Sequence, residues 1–211
     1  MKFSGISLEK LRVGGQGKLR FGGRRPSKNS SRRRKKIANF VGADRRELVF
    51  SHNASYCLNL LAQSLCLSGV VTENSCVVLG SREHHANLVP WLQLQKIFGF
   101  EIQFLEIDEN FSVDFDRIRQ ISSEKNVAVL SLSWVSNVSG SIFPVEEIRA
   151  EFGENVFSIL DASQAVVHFP LDFGAKNFDA MFFSAHKIYA MTGVGALLLK
   201  KYLDFAARSR S

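Results

Sequence analysis

FSILDASQAVVHFPLDFGAKNFDAMFFSAHK, residues 157–187, decides the fold. It holds two short apolar runs, Phe157–Leu160 and Ala180–Ser184, and each gives way at once to polar residues: DASQ (Asp161–Gln164) after the first, SAHK (Ser184–Lys187) after the second. Runs of four or five residues without polar alternation read as strands buried on both faces, as in a parallel sheet covered by helices. Outward from this stretch the pattern repeats. Leu48–Ser51, Cys76–Leu79, Glu101–Leu105, Val127–Ser133 and Ala196–Lys200 read as five more strands. Between them lie helices over Ala54–Leu67 (Leu58, Leu61 and Leu65 on one face), Ala86–Phe98 (ended by Gly99), Asp114–Ile121 and Val145–Phe152. The expected fold is α/β, a mainly parallel sheet of seven strands with helices on both faces.

The composition fits such a domain. Hydrophobic residues make up 45% of 211, enough to bury a core. No apolar run reaches the length of a membrane span and no apolar segment follows the N-terminus, so a soluble protein is expected, with no membrane partner. The formal charge of +7 is unevenly placed: residues 1–36 carry 13 of the 27 Lys and Arg against one of the 20 acids, which leaves 14 basic and 19 acidic side chains elsewhere. The basic character belongs to a leader containing GGQGK, FGGRRP and SRRRKK, in which aromatics are limited to Phe3 and Phe21. That distribution argues against a nucleic-acid partner. Residues 1–36 are expected to be flexible, with the globular part over 37–204 and a tail over 205–211. An Arg/Ser-rich, acid-poor leader also suits an organellar transit segment, so the expected location is intracellular, cytoplasm or organelle. Cys57, Cys66 and Cys76 have no metal-ligand spacing and read as reduced, packed thiols.

In α/β sheets of this kind the ligand lies beyond the carboxyl ends of the strands, which directs attention to five segments. SHNAS (Ser51–Ser55) leads into a helix start, where free N–H groups favour an anion. REHHANLVPW places His84 and His85 at another helix start, and VSNVSG (Val135–Gly140), DASQ and SAHK follow three more strands. Singly, each has a plain structural reading: Asp161, Asn53 and Ser55 as caps, His84 as a surface residue, Lys187 as a solvated charge. Together they supply what a pyridoxal-phosphate site needs: a lysine for a Schiff base, a carboxylate to keep the pyridine nitrogen protonated, an anion nest, a polar contact to the ring oxygen, and a flat group over the ring.

REHHANLVPW, VSNVSG, DASQAVVHFPLDF and FFSAHKIYAMTGVGALLLK resemble the class V aminotransferase-like enzymes of fold-type I, and within them the SUF-pathway cysteine desulfurases and selenocysteine lyase-like enzymes, over about residues 32–204. The resemblance implies the fold-type I large domain, pyridoxal 5'-phosphate as cofactor, and L-cysteine or a related amino acid as substrate. It also implies a homodimer and a sulfur-acceptor protein as partners in iron-sulfur cluster assembly. It gives Lys187 the Schiff base, His186 and Ser184 the phosphate, Asp161 the pyridinium nitrogen and Gln164 the ring oxygen. His84 is given stacking and proton shuttling, Asn137 the ring oxygen and substrate, and Ala54 with Ser55 the phosphate turn. Departures from the family pattern are Asn53 where relatives often have Gly, although Asn tolerates the positive φ that Gly would supply, and Ala185, the pair Ala190–Met191, and Trp134 at a position often held by His. The family's nucleophilic cysteine and substrate-clamping arginine lie in a small domain beyond the lysine, past the end of this sequence. The expectation is therefore a large domain without the sulfur-accepting thiol. The alternatives are another class V reaction (lyase, epimerase or transaminase) or a cofactor-binding fragment without catalysis.

Overall fold

Alternate residues of the central strands point to opposite faces, and here both faces are apolar. On β6 (Val127–Ser133), Val129 packs to one side while Leu130 and Leu132 pack to the other; on β8 (Ala180–Ser184), Ala180 and Phe182 oppose Met181 and Phe183. The computed structural model describes residues 11–14, 18–21, 28–108 and 112–200. Seven strands form one sheet in the order β3-β9-β8-β7-β6-β4-β5, in which β3 is Leu48–Ser51, β4 Cys76–Gly80, β5 Glu101–Leu105, β7 Phe157–Asp161 and β9 Gly195–Leu199. The five strands from β8 to β5 run parallel; β9 runs antiparallel to both β8 and β3.

Helices cover both faces. Against one lie α2 (Ala54–Leu67) and α3 (His85–Phe98), whose Leu58, Leu61, Leu65 and Trp91 meet Phe157, Ile159 and Phe182. Against the other lie α1 (Lys28–Phe40), α4 (Phe115–Glu124), α5 (Val145–Ala150) and the short α6 (Ala165–His168), through residues such as Ala38, Ile118, Ile148 and Val166. All seven expected strands and four expected helices are present, with ends shifted by at most a few residues.

The leader differs from its reading. The sequence pattern places the start of globular structure at Ile37, but α1 begins at Lys28, and Leu11–Gly14 (β1) pairs with Lys18–Phe21 (β2) as a two-stranded antiparallel ribbon. The basic run gives no apolar periodicity, yet Arg and Lys are good helix formers. Arg34 anchors the helix by donating to the Leu48 carbonyl, with its guanidinium 5.2 Å from the Phe50 ring centroid. No described helix is long and apolar enough to cross a membrane.

The strand order opens a crevice. The chain leaves β4 for β5 on one side, then returns to place β6, β7 and β8 on the other, so a gap forms beyond the ends of β4 and β6. At the same edge of the sheet, β9 brings Gly195 against the start of α2: a Cβ there would meet the Asn53 backbone at 2.5 Å. Gly195→Ala is therefore expected to lower stability by about 1–3 kcal/mol, read as a drop in the urea midpoint. Gly153→Ala, where a Cβ meets nothing within 4 Å, should stay within about 0.5 kcal/mol of the parent.

Candidate active site

Asn53 caps α2: its Oδ1 accepts the Tyr56 N–H at 2.8 Å, with its own backbone at φ −168°, ψ 178°. This is extended backbone, so the positive φ that Asn tolerates is not used here; capping explains the residue. One residue on, the Ala54 N–H donates to Ser184 Oγ at 2.8 Å, a buried bond across 130 residues of chain. It ties the first turn of α2 to the end of β8. The Ser55 N–H lies in that same first turn, where helical N–H groups lack intrahelical acceptors.

His84 caps α3 with its side chain: Nδ1 accepts the Ala86 N–H at 3.0 Å. The neutral ring then carries its proton on Nε2. Asn137 sits in the loop after β6, which an isolated bridge between Val135 and Ile142 closes. Asp161 ends β7 and is 5% exposed. Its Oδ1 accepts the Ser163 N–H at 2.8 Å. Burial pushes this carboxyl above the usual range, while the bond from the Ser163 N–H and the charge of Lys187 pull it back. Gln164 stands at the head of α6. Beyond Ser184, a 3-10 turn (Ala185–Ile188) presents His186 and Lys187, both exposed at the pocket rim, and closes with Tyr189 at φ 60°. That residue is the one non-glycine at positive φ among the described residues, and backbone strain of this kind gathers at functional sites.

One pocket of about 260 Å³ unites these groups. Ala54, Ser55, His84, Asn137 and Asp161 line it together with Gln164, Ser184, His186 and Lys187, so all nine residues singled out in the sequence share a single cavity. Arg82, Ser136 and Ser163, from the quoted segments, line it as well, with Ser133 at the end of β6, and the resemblance gives none of them a role. Trp134 does not line it: its ring stacks on Phe169 at 5.5 Å between centroids, with Lys176 Nζ 4.1 Å from the ring centroid. No cysteine lines the pocket. Cys57, Cys66 and Cys76 are buried, and burial pushes their thiols up to about 12, 12 and 11. They are protonated at neutral pH and are poor nucleophiles.

The fold that gathers these residues also occurs in solved structures. A solved apo cysteine desulfurase from Thermococcus onnurineus NA1 superposes with a TM-score of 0.74 at 29% identity, covering 81% of this chain and 42% of that one. The cysteine desulfurase CsdA of Escherichia coli, in an S-sulfonic acid form, superposes with a TM-score of 0.72 at 25% identity, covering 92% and 49%. The architecture is that of the fold-type I large domain. A family model described as aminotransferase class-V matches residues 22–209, and the chain belongs to that family. Among its relatives, a cysteine desulfurase of Haloferax volcanii is 33% identical over 171 residues (79% of this chain, 39% of the relative). One of Pectobacterium atrosepticum is 31% identical over 172 residues (81% and 42%). The chain thus spans about two fifths of the length of these relatives.

Enzymes of this family use pyridoxal phosphate, and the donor set suits it. Asp161 is a buried carboxylate with one oxygen bonded to Ser163, which leaves the other to meet a protonated ring nitrogen. Lys187 forms no salt bridge among the described residues. The α2 start offers N–H and hydroxyl donors for a phosphate.

Proposed function

We propose that this chain is the cofactor-binding part of a cysteine desulfurase acting on L-cysteine. The observation that carries the reading is the convergence of nine residues, drawn from between Ala54 and Lys187, on one pocket. In it Asp161 would hold the ring nitrogen and Lys187 the reactive carbon. Ser55, Ser184 and His186 would hold the phosphate. Gln164 and Asn137 would meet the ring oxygen, and Ala54 would fix the turn through Ser184. The cofactor, when bound, supplies an electron sink for the substrate's α-carbon. His84 would cover the ring and hold a proton on Nε2, since its Nδ1 is committed to the Ala86 N–H. The burial of Cys57, Cys66 and Cys76 away from the pocket supports a sulfur-accepting thiol other than these three.

Val138, Ile142, Tyr189 and Met191 are large apolar side chains, 57–93% exposed, on the loops after β6 and after the lysine turn. Exposed apolar groups placed so favour a second copy packing beside the pocket, and a homodimer forms part of the reading. So do a sulfur-acceptor protein and a reducing compartment, cytoplasmic or organellar, which suits three unpaired thiols.

The test is a titration of the purified protein with pyridoxal phosphate, followed by L-cysteine. A visible absorption band should appear at saturation, and L-cysteine should alter it more than L-serine or L-alanine does. The chain as it stands should release no alanine from L-cysteine at an enzymatic rate. Absence of the band at saturating cofactor overturns the reading, and alanine release that is lost when all three cysteines are replaced by serine overturns the assignment of the thiol.

A further inference from the structure

Beside the pocket, inside the crevice between β4 and β6, lies a carboxylate that takes no part in holding the cofactor. The β4–β6 ladder ends at the pair Leu79 and Ser131. Two residues later the Ser133 N–H has no strand partner on that side, since the next N–H, of Trp134, turns toward β7 and bonds Asp161 O at 3.1 Å. Glu83, from the loop after β4, fills the gap. Its Oε1 accepts the Ser133 N–H at 2.8 Å, and its Oε2 accepts both the Ser133 hydroxyl and the Asn87 amide N–H, the latter at 2.6 Å. Asn87 is fully buried in the first turn of α3, and its Oδ1 accepts the Ser131 hydroxyl at 2.6 Å. One side chain thus joins the loop after β4, the start of α3 and the end of β6. Gly80 makes room for it: a Cβ there would stand 2.7 Å from Glu83 Oε1.

We propose that Glu83 is a positioning residue, which bolts the loop bearing His84 to the end of β6 and thereby holds the imidazole at the pocket wall. His84 is the next residue in the chain, caps the helix that Asn87 anchors, and sits on a loop whose start is tied to β5 and the residues after it by the bonds from the Ser81 N–H to the Leu105 carbonyl at 2.9 Å and from the Ile107 N–H to Ser81 Oγ at 3.1 Å. Ser133, which receives the bolt, itself lines the pocket. Burial pushes the Glu83 carboxyl up to about 7, against the bonds from Ser133 and Asn87, with the Asp161 charge adding to the rise. A neutral amide should therefore replace it. Gln at this position can still accept from the Ser133 N–H; its NH2 can donate to a rotated Ser133 hydroxyl and, once the Asn87 amide flips, to Asn87 Oδ1, whose NH2 then donates to the Ser131 hydroxyl oxygen.

This inference rests on the proposed cofactor role for the strength of its second readout, not for its first. The first is the long-range proton–nitrogen spectrum of His84 in cofactor-free protein. Wild type should show Nδ1 as an acceptor and Nε2 protonated, with Glu83→Ala and Gly80→Ala showing averaged tautomers and Glu83→Gln restoring the wild-type pattern. The second is affinity for pyridoxal phosphate, expected to fall about tenfold in Glu83→Ala and Gly80→Ala, as when a buried hydrogen-bond partner is lost, and to be kept in Glu83→Gln. An unchanged His84 signature in both Glu83→Ala and Gly80→Ala overturns the positioning role, and so does a failure of Glu83→Gln to restore it. If Glu83→Ala does not fold, Gly80→Ala and Glu83→Gln decide the matter. A wild type that binds no cofactor overturns the proposed function alone, because the His84 spectrum still tests the bolt.

Discussion

Lys187→Ala should abolish covalent capture of pyridoxal phosphate. After borohydride reduction and removal of free cofactor, wild type should carry the adduct at Lys187 and the variant should carry none. The side chain forms no salt bridge among the described residues and is not buried, so its removal should change stability by no more than about 0.5 kcal/mol. The loss is then chemical, not structural. Other amines are poorly placed to compensate. Lys200 Nζ donates to the Phe173 and Gly174 carbonyls, Lys176 pairs with Glu146 beside the Trp134 ring, and Lys125 pairs with Glu101 at 2.9 Å. None of these lines the pocket. Peptide mapping that finds the reduced wild-type adduct on any of them would remove Lys187 from its assigned role.

Asp161→Ala should act in opposite directions with and without cofactor. Alone, the protein keeps a carboxylate in a place that disfavours its charge: burial raises its pKa in the folded state above the ordinary value of 3.8. A carboxyl whose folded pKa is raised binds its proton more tightly folded than unfolded, so stability declines as pH climbs through that window and the penalty is present at neutral pH. Removing the group should raise the melting temperature of the cofactor-free protein at pH 7.5, with less gain at pH 4. With cofactor present the sign reverses. Stranding a buried pyridinium without its counter-charge costs about 3–5 kcal/mol, which corresponds to a loss of affinity of about two to almost four orders of magnitude. Asp172 is the control: it is exposed, its Oδ1 accepts the Ala175 N–H at 3.1 Å, and Asp172→Ala should leave cofactor affinity unchanged. Equal affinity for wild type and Asp161→Ala would refute the pyridinium role, and an unchanged melting temperature without cofactor would refute the burial cost.

The strands are readable because burial on both faces writes itself into composition: FSIL and AMFF have no polar alternation to mislead. The site is readable for a related reason. Polar residues such as Asp161 and Lys187 stand where apolar runs stop, and a parallel sheet collects such stops at one edge. Direction is not readable. LVFS and GALLL look like any buried strands, and nothing in them says that β9 runs opposite to β8 and inserts beside β3. The helix over Lys28–Phe40 is hidden because charged residues carry no periodic apolar signal. Glu83 is hidden for a different reason: an acid in a loop reads as solvated, and its enclosure depends on Gly80, Asn87 and Ser133, the last 50 residues away. A faint signal exists in Ser131 and Ser133, two hydroxyls on the same face of an otherwise apolar strand.

The insertion of β9 between β3 and β8 has a consequence for how the protein is made. During synthesis β3 emerges early, yet β9, its one sheet neighbour among the described residues, emerges about 145 residues later. Until then β3 is an unsatisfied edge, open to pairing with other chains. The turn at Ala54 waits equally long for the Ser184 hydroxyl that fixes it. Pairings this remote in sequence are slow to form. The first part of the pocket to leave the ribosome is thus the last to be seated.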